Sequence, residues 1–402
     1  MAGIWAFLVY IAGMLKKTAK HNVRLLRWFN FFLDFRPYGP IAVIYFSQVT
    51  GSFALGLSVF AVASVAASIF EVPTGVLSDR IGRKRTMIVG ALASVLAVSA
   101  YAVGGAFWML AMGSVFQGLA VAFFSGNNDA LLYDSLKSEG REEEYAELLG
   151  KVSAMFQVGL AVSALIGGFV ADWSLQFVFV IAVVPQAVCL ILSFFFKEPA
   201  KHYEEVATNI FEHLKIALRG FRDNWKLRDL SLSAIISHAV GETVHQFVPA
   251  FFAMLWPTWA LGIPRTLSHV FGATSFHFAG RVIKKFGALR VMFTNTFINR
   301  TIGFLAYGFP NMLSPLLVST GSLTYGLFKV SENTLMQKEF TNQQRATMAS
   351  LNSLFGNLFF AIFAFGFGTL ADGLGPAKSL LIGEAILLVL IPIYGRLLKR
   401  AG

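Results

Sequence analysis

Residues 75–85 read Gly-Val-Leu-Ser-Asp-Arg-Ile-Gly-Arg-Lys-Arg and form a short, strongly basic loop between two apolar segments. A single acid, Asp79, lies among four arginine or lysine side chains. The flanking segments, residues 54–77 and 85–104, are each long enough to cross a bilayer, which takes about 20 residues. The stretch therefore predicts a tight charged loop between two membrane-spanning helices.

The whole chain has the composition of a membrane protein. Of its 402 residues, 56% are apolar and 14% are charged, whereas roughly a quarter of the residues of a soluble protein are charged. The polar stretches are too short for a separate soluble domain, and the nucleotide-binding pattern GxxxxGKS/T is absent from the sequence. We therefore expect no enzyme, no ATP-driven pump and no cofactor.

Twelve apolar runs can be followed along the chain, with a longer polar stretch between the sixth and the seventh. They are centred on residues 28–48, 54–77, 85–104, 106–132, 149–170, 175–196, 230–253, 258–281, 288–308, 312–336, 347–370 and 378–397. The prediction is an all-α membrane protein with twelve transmembrane helices in two pseudo-symmetric six-helix bundles.

Lysine and arginine are concentrated in alternate loops. The basic loops are residues 16–27, 80–85, 197–228, 284–290 and 396–400. The loops near residues 50, 104, 173, 256, 310 and 374 hold almost no lysine or arginine, with Lys378 as the exception. Basic loops stay on the cytoplasmic side, so we expect a bacterial-type inner membrane protein with both termini cytoplasmic. This distribution explains the net charge of +11 without a nucleic-acid partner.

Four segments follow from these runs. We expect a cytoplasmic N-terminal segment at 1–21, bundles at 22–197 and 230–402, and a cytoplasmic linker at 198–229. Apolar residues recur at helical spacing between Val206 and Trp225 beside clustered basic residues, which predicts an amphipathic helix on the membrane surface or one packed on the bundle ends. Met14 is a plausible start, so we expect residues 1–13 to be dispensable.

The two halves carry weak internal similarity, which is typical of duplicated transporters. An offset of 205 residues places Gly75 on Gly280, Gly82 on Gly287 and Asn128 on Asn333. An offset of 200 places Asp172 on Asp372. In the second copy of the basic loop, Lys284 occupies the position of Asp79.

The motif at 75–85 resembles the loop signature GxxxDRxGRKR of the major facilitator superfamily, and the resemblance extends over essentially the whole chain. It implies two six-helix domains around a central cavity and a secondary transporter that works by alternating access. It also implies a cytoplasmic gate that latches the halves. The residues assigned to that gate are Glu71, Gly75, Asp79, Arg80, Gly82, Arg83 and Asp129.

Two further motifs of the superfamily are incomplete in this sequence. The fourth-helix pattern RxxQG matches at Gln117 and Gly118, but Ser114 stands where the arginine belongs. The fifth-helix antiporter pattern matches at Gly159, Gly167 and Gly168, but Ser163 and Ala164 replace its Gly-Pro. Relatives use that arginine in proton coupling, so the resemblance leaves the direction of transport open.

Ionisable side chains inside a span are costly unless paired or hydrated, so each is a candidate functional residue. In the first half, Asp34 and Arg36 lie within the first run, which Pro37 and Pro40 interrupt. Asp34 is a candidate proton carrier, and an ion-pair network that only fixes helix packing is the alternative. The candidate cavity residues of this half are Arg36, Tyr38, Gln117, Asn128 and Gln157.

In the second half, His238, Glu242 and His245 follow the spacing i, i+4, i+7 and share one helix face. Glu242 is the leading proton-carrier candidate, and the two histidines could relay a proton. These side chains and His269 could also bind a divalent ion. The candidate cavity residues of this half are Gln246, His269, Lys329, Glu332 and Asn333.

The sequence thus favours a monomeric transporter that exports a drug-like or amphipathic metabolite by proton antiport. Proton-coupled import of a nutrient or siderophore-like solute is the alternative, and divalent-metal transport is a minor one. The expected partners are a small-molecule substrate, protons and the lipid bilayer.

Overall fold

The structure, a computed structural model, describes residues 2–199, 224–339 and 345–401. All regular secondary structure in these ranges is helical. The predicted amphipathic helix between Val206 and Trp225 lies almost wholly outside the described residues, and Trp225 begins the next described helix.

Eight α-helices cover the first part of the chain. They are α1 (Ala2–Leu33), α2 (Ala42–Thr50), α3 (Phe53–Ile81), α4 (Arg83–Val103), α5 (Phe107–Phe124), α6 (Asn127–Lys137), α7 (Tyr145–Ala171) and α8 (Leu175–Phe195). A 3₁₀ turn at Glu142–Glu144 precedes α7.

Eight more α-helices cover the described residues from 224 onward. They are α9 (Trp225–Phe252), α10 (Gly262–Phe286), α11 (Ala288–Gly308), α12 (Ser314–Thr320), α13 (Tyr325–Glu339), α14 (Arg345–Leu374), α15 (Pro376–Leu387) and α16 (Leu390–Ala401). Two short 3₁₀ turns, Thr258–Leu261 and Gly321–Thr324, directly precede α10 and α13.

Seven helical stretches in the described ranges are long and apolar enough to cross a membrane. They are Phe53–Ile81, Arg83–Val103, Phe107–Lys137, Glu142–Ala171, Leu175–Phe195, Ser350–Leu374 and Pro376–Arg400. The first and tenth predicted runs are divided into shorter helices, and the seventh to ninth carry several polar side chains. The all-α membrane class predicted from the sequence is confirmed.

The first span is broken where the sequence places its prolines. Helix α1 ends at Leu33, and α2 begins at Ala42. Pro37 and Pro40 lie in this break because proline lacks the N–H that a helix interior needs. The fourth run was expected to be continuous but breaks at Gly126, whose φ of +69° favours glycine.

The chain separates into two compact units. Unit 1 comprises Met1–Tyr38, Ala66–Ser163 and Ser174–Glu205, and unit 2 comprises Gly39–Val65, Ala164–Trp173 and Val206–Gly402. These units do not follow the predicted bundles 22–197 and 230–402. Helix α2, the start of α3 and the end of α7 belong to unit 2 because they pack against its helices.

Within unit 1, α4 packs against both α5 and α8. Phe29 lies in the core of this unit, with edge-to-face contacts to Phe124 and Phe196 at 5.6 Å. Within unit 2, α9 packs against α14, and α10 packs against α13. We call the membrane face where α3 ends and α4 begins the basic face, and the other the opposite face.

Candidate transport and gating sites

The break between α1 and α2 places a charged pair inside the first span. Arg36 Nη2 lies 3.3 Å from Asp34 Oδ1, and both side chains are partly buried. The backbone N–H of Arg36 donates to Ser163 Oγ at 3.1 Å. Ser163 therefore accepts a hydrogen bond from the backbone of the break, where the helical hydrogen bonds are interrupted. Among the acids of the first half that the sequence analysis singled out, Asp34 is the one that forms an ion pair with Arg36.

Aromatic side chains surround this break. Tyr38 stacks on Phe179 with ring centroids 5.0 Å apart, and Tyr101 contacts Phe179 edge-on at 6.1 Å. The hydroxyl groups of Tyr101 and Ser114 lie 3.1 Å apart. Ser114, which occupies the position of the missing arginine, is thus fully buried against a neighbouring helix.

Two amides of unit 1 have buried acceptor atoms without a hydrogen-bond partner. These atoms are Asn128 Oδ1 and Gln157 Oε1. Asn128 Nδ2 donates weakly to Asn30 Oδ1 at 3.4 Å, and Gln117 is half-buried. A buried polar atom without a partner costs about 1–3 kcal/mol, so Asn128 and Gln157 remain candidates for contact with a solute.

Arg83 is the centre of the charged loop on the basic face. Its guanidinium lies 3.2 Å from both Asp79 and Asp134, and Nη1 also donates to Ser78 Oγ at 3.1 Å. Asn127 accepts from Ser78 at 2.9 Å. Arg83 therefore joins the ends of α3 and α6. Sequence reasoning did not assign Asp134 to the gate, although it lies at the end of the fourth run, five residues after the gate candidate Asp129.

The start of α4 is capped by Glu198. Its carboxylate accepts from the backbone N–H groups of Arg83 and Lys84 at 2.7 and 2.8 Å. Gly82 has a φ of +93°, and a Cβ there would lie 2.6 Å from that carboxylate, so the position requires glycine. Sequence reasoning missed Glu198, which follows the sixth run directly.

The remaining predicted gate residues differ in their exposure. Glu71 is half-buried and Asp129 is exposed. A Cβ at Gly75 would meet no other atom of the described residues within 4 Å, so nothing in them requires glycine at this position. Arg80 is exposed at the end of α3.

In unit 2, Glu242 lies in the central part of α9 within a polar cluster. Gln246 Nε2 donates to Glu242 Oε1 at 2.6 Å. The Glu242 carboxylate also interacts electrostatically with Arg265 on α10 and Lys329 on α13. Two helices of unit 2, α10 and α13, thus bring positive charge towards the carboxylate that α9 carries.

Lys329 also forms an ion pair with Glu332. Lys329 Nζ lies 2.9 Å from Glu332 Oε2, and the side chain of Glu332 is buried. Glu332 Oε1 is buried without a hydrogen-bond partner. Asn333 is exposed. The predicted i, i+3 ion pair between Lys329 and Glu332 is present, and it leaves Oε1 of Glu332 available as a hydrogen-bond acceptor.

The two histidines of the predicted α9 face have separate partners, and His269 lies on another helix. His238 Nε2 lies 2.9 Å from Asn357 Oδ1, and His245 Nδ1 lies 3.5 Å from Arg265 Nη1. His269 is half-buried on α10. Among the described residues no group of three His, Cys, Asp or Glu side chains could hold a metal ion.

A buried ion pair that sequence reasoning missed joins α11 and α15. Arg300 Nη1 lies 2.5 Å from Glu384 Oε2, and the side chains are 17% and 5% exposed. Gly303 makes room for the carboxylate, because a Cβ there would overlap it. Each residue is an ionisable group in the interior of a predicted span, which is the signal that could have identified the pair.

At the opposite face, Asp372 caps the start of α3 within unit 2. Its carboxylate accepts from the backbone N–H groups of Phe53 and Ala54 at 2.6 and 3.2 Å and from Ser52 Oγ at 2.7 Å. Gly368 packs directly on Ala54. A carboxylate at a helix N-terminus is stabilised by the exposed N–H groups and the helix dipole. The end of α14 is thereby fastened to the start of α3.

We expect Asp372→Asn to loosen this contact, because an amide oxygen is a weaker acceptor than a carboxylate. Loss of about 1.4 kcal/mol should raise amide hydrogen exchange at residues 53–55 about tenfold. Asp172→Asn is the matched control, because Asp172 is exposed and has no hydrogen bond or ion pair within the described ranges. Hydrogen-exchange mass spectrometry of the peptide that starts α3 measures both, and equal exchange in the two variants would contradict the capping role.

The fold and these sites define a multi-pass α-helical membrane transporter with charged groups inside its spans. The sequence model of the Major Facilitator Superfamily matches residues 25–364. The chain belongs to that superfamily. It is accordingly a transporter and not an enzyme.

Relatives with established names include drug-resistance proteins. The chain is 28% identical over 146 residues to the class H tetracycline resistance protein of Pasteurella multocida, a match that covers 36% of this chain and 35% of that protein. It is 26% identical over 275 residues to the quinolone resistance protein NorA of Staphylococcus aureus, covering 65% of this chain and 67% of NorA. The match thus spans about a third of the length of the tetracycline resistance protein.

Solved structures share the fold at low sequence identity. The nucleoside transporter NupG aligns with a TM-score of 0.77 and 15% identity, covering 94% of this chain and 99% of NupG. The D-xylose-proton symporter aligns with a TM-score of 0.71 and 15% identity, covering 93% and 96% of the two chains. The predicted twelve-helix pseudo-symmetric fold is confirmed.

Proposed function

We propose that this protein is a proton-coupled exporter of a drug-like or amphipathic solute, located in a bacterial-type inner membrane with both termini cytoplasmic. The observation that carries the proposal is the Glu242 cluster of unit 2. A carboxylate in a span is costly unless paired, and one that can alternate between pairing and protonation can couple proton movement to transport.

The partners of Glu242 suit such a carrier. Its hydrogen bond to Gln246 holds the carboxyl group in place in either protonation state, because an amide can donate or accept. When Glu242 is ionised, its charge offsets Arg265 and Lys329, although Lys329 also pairs with Glu332. Protonation of Glu242 leaves Arg265 without this counter-charge. The cluster therefore changes its charge balance with a single proton.

The names of the relatives favour export over import. These relatives are named for resistance to tetracycline and to quinolones, and removal of a drug-like solute from the cell would suit such names. The partly exposed Tyr38 ring near the first break, which stacks on the buried Phe179, would suit a solute with apolar surface. Import remains the alternative, because Ser114 and Ser163 depart from the motifs of proton antiporters and the structural neighbours include a sugar–proton symporter.

A helix-end contact between the two predicted halves gives the proposed cycle a gate at the opposite face, whereas the Arg83 contacts lie within the first half. On the basic face, Arg83 binds Asp79 and Asp134. On the opposite face, Asp372 holds the start of α3. We propose that release of Asp372 accompanies opening of the opposite face, and that the predicted halves 22–197 and 230–402 move as the two bodies of the cycle.

Transport in vesicles of both orientations tests the function and its direction. Everted membrane vesicles that overexpress the protein are energised to an acidic interior and given a lipophilic fluorescent cation. Export by antiport predicts accumulation that disappears when an ionophore collapses the gradient. Right-side-out vesicles with an acidic exterior are given labelled uridine and xylose as import probes. Gradient-driven uptake of either one, without dye accumulation in everted vesicles, would overturn the export proposal.

A further inference from the structure

A cavity of about 650 Å³ lies at the basic-face end of unit 1, between α1 and α7. Lys20, Arg24, Arg27 and Trp28 line it from α1, and Arg141 lines it from the turn that precedes α7. The volume is in the range of small-ligand sites. It lies apart from the Asp34–Arg36 pair, none of whose residues line it.

Three cations of α1 face this cavity without a counter-charge from the part of the chain that the structure describes. Lys20, Arg24 and Arg27 follow the spacing i, i+4, i+7, so they share one helix face. All three side chains are exposed, and none forms an ion pair with any described residue. Like charges at this spacing destabilise a helix, so an anion bound between them would relieve a repulsion that exists in its absence.

The opposite wall adds a fourth cation whose charge is partly compensated. Arg141 donates to Glu144 at 2.6 and 2.7 Å and to Glu139 at 3.2 Å. These hydrogen bonds, the one to Glu144 first, raise the pKa of Arg141 above its ordinary value. Counting these two acids against the four bases leaves an excess of two positive charges. Glu139 also accepts from the backbone N–H of Ala19 at 2.7 Å, which fixes this wall to α1.

The remaining lining is apolar. Leu148 and Met155 of α7 face the cavity, and Trp28, whose side chain is 48% exposed, lies beside Phe31 and Phe32. A tryptophan between basic groups and apolar surface is typical of the membrane interface. The cavity therefore offers cations that can bind an anionic group and apolar surface that can contact the hydrocarbon part of the same ligand.

We propose that this cavity is a binding site for the phosphate group of a phosphate ester, held by Arg24, Arg27 and Lys20. Arginine binds phosphate oxygens through two parallel N–H donors, and lysine adds a point charge. Two sources supply this chemistry: an anionic glycerophospholipid of the surrounding leaflet and a soluble organic phosphate. Basic pockets between helices at a membrane surface bind anionic head groups.

Binding to the purified, delipidated full-length protein tests the site. Native mass spectrometry compares phosphatidylglycerol with phosphatidylcholine, and glycerol 1-phosphate is added as the soluble competitor. We expect phosphatidylglycerol to bind about tenfold more tightly than phosphatidylcholine, with the preference lost in Arg24→Gln/Arg27→Gln. Arg24→Lys/Arg27→Lys keeps the charge and should retain part of the preference, which separates a site defect from misfolding.

Lys284→Gln/Lys285→Gln is the matched control, because it removes two exposed charges from a basic loop of unit 2 that lines no part of this cavity. Competition by glycerol 1-phosphate that depends on Arg24 and Arg27 would assign the site to soluble esters. Selective phosphatidylglycerol binding without such competition would assign it to lipid. Equal lipid binding in wild type and Arg24→Gln/Arg27→Gln, or an equal loss in the control, would overturn the proposal.

Discussion

Glu242→Gln should abolish proton-driven transport while leaving exchange of the solute across the membrane intact. Glutamine keeps the size of the side chain and can still hydrogen-bond Gln246, but it cannot gain or lose a proton. We expect the gradient-driven rate to fall about tenfold or more, which corresponds to at least ~1.4 kcal/mol in the barrier. Exchange of labelled for unlabelled solute needs no net proton movement and should persist.

Proteoliposomes with an imposed pH gradient measure both rates. Glu147→Gln is the control, because Glu147 is an exposed glutamate paired with Lys151 one helical turn away. Asp34→Asn tests the second candidate proton carrier, Asp34, which forms an ion pair with Arg36. If Glu242→Gln keeps its proton-driven rate and Asp34→Asn loses it, the carrier lies in unit 1 and our assignment to Glu242 is wrong.

Arg300→Met should strongly destabilise the protein, because it leaves the buried carboxylate of Glu384 without its counter-charge. Removing one partner of a buried ion pair costs about 3–5 kcal/mol. Arg300 and Glu384 lie 2.5 Å apart at the contact of α11 with α15, and the Glu384 side chain is almost fully buried. Unfolding of the purified protein by denaturing detergent measures the loss.

The double variant Arg300→Met/Glu384→Met should recover most of this loss, because replacing both charges with apolar groups leaves no buried charge unpaired. Lys151→Met serves as the surface control. It breaks an exposed pair with Glu147, and such pairs contribute about 0–1 kcal/mol. Additive losses in the double variant, or an Arg300→Met effect no larger than that of Lys151→Met, would show that the pair is not stabilising.

The sequence identified ionisable side chains inside the spans, but it did not identify the residues that contact them. It placed Glu242 and Lys329 inside spans, and the structure brings their charges together with that of Arg265. It also placed His238 and His245 on one helix face with Glu242, but His238 binds Asn357 on α14, and His245 lies next to Arg265 on α10. Spacing along one helix gives the direction of a side chain, whereas its partner depends on which helix packs there.

The contacts at the helix ends likewise combine a residue that the sequence identified with a partner that it did not. The basic loop and Asp79 were identified from residues 75–85, but the second acid on Arg83, Asp134, lies 51 residues away in the chain. Asp372 and the N–H of Phe53 are 319 residues apart. Glycine at position 75 leaves room for a close helix approach, yet it faces open space among the described residues. A glycine shows that close packing is possible, and only the position of the neighbouring helix shows whether it occurs.

The amino-acid sequence alone determined the class of this protein, its spans, the break at Pro37 and Pro40 and its membership of a transporter superfamily. These properties are local, because the bilayer requires about 20 apolar residues per span and proline interrupts a helix wherever it stands. Only the tertiary structure decided that Asp372 caps α3, that Arg300 pairs with Glu384 and that three cations of α1 line a cavity with Arg141. These contacts join residues far apart in the chain, and helix packing brings them together.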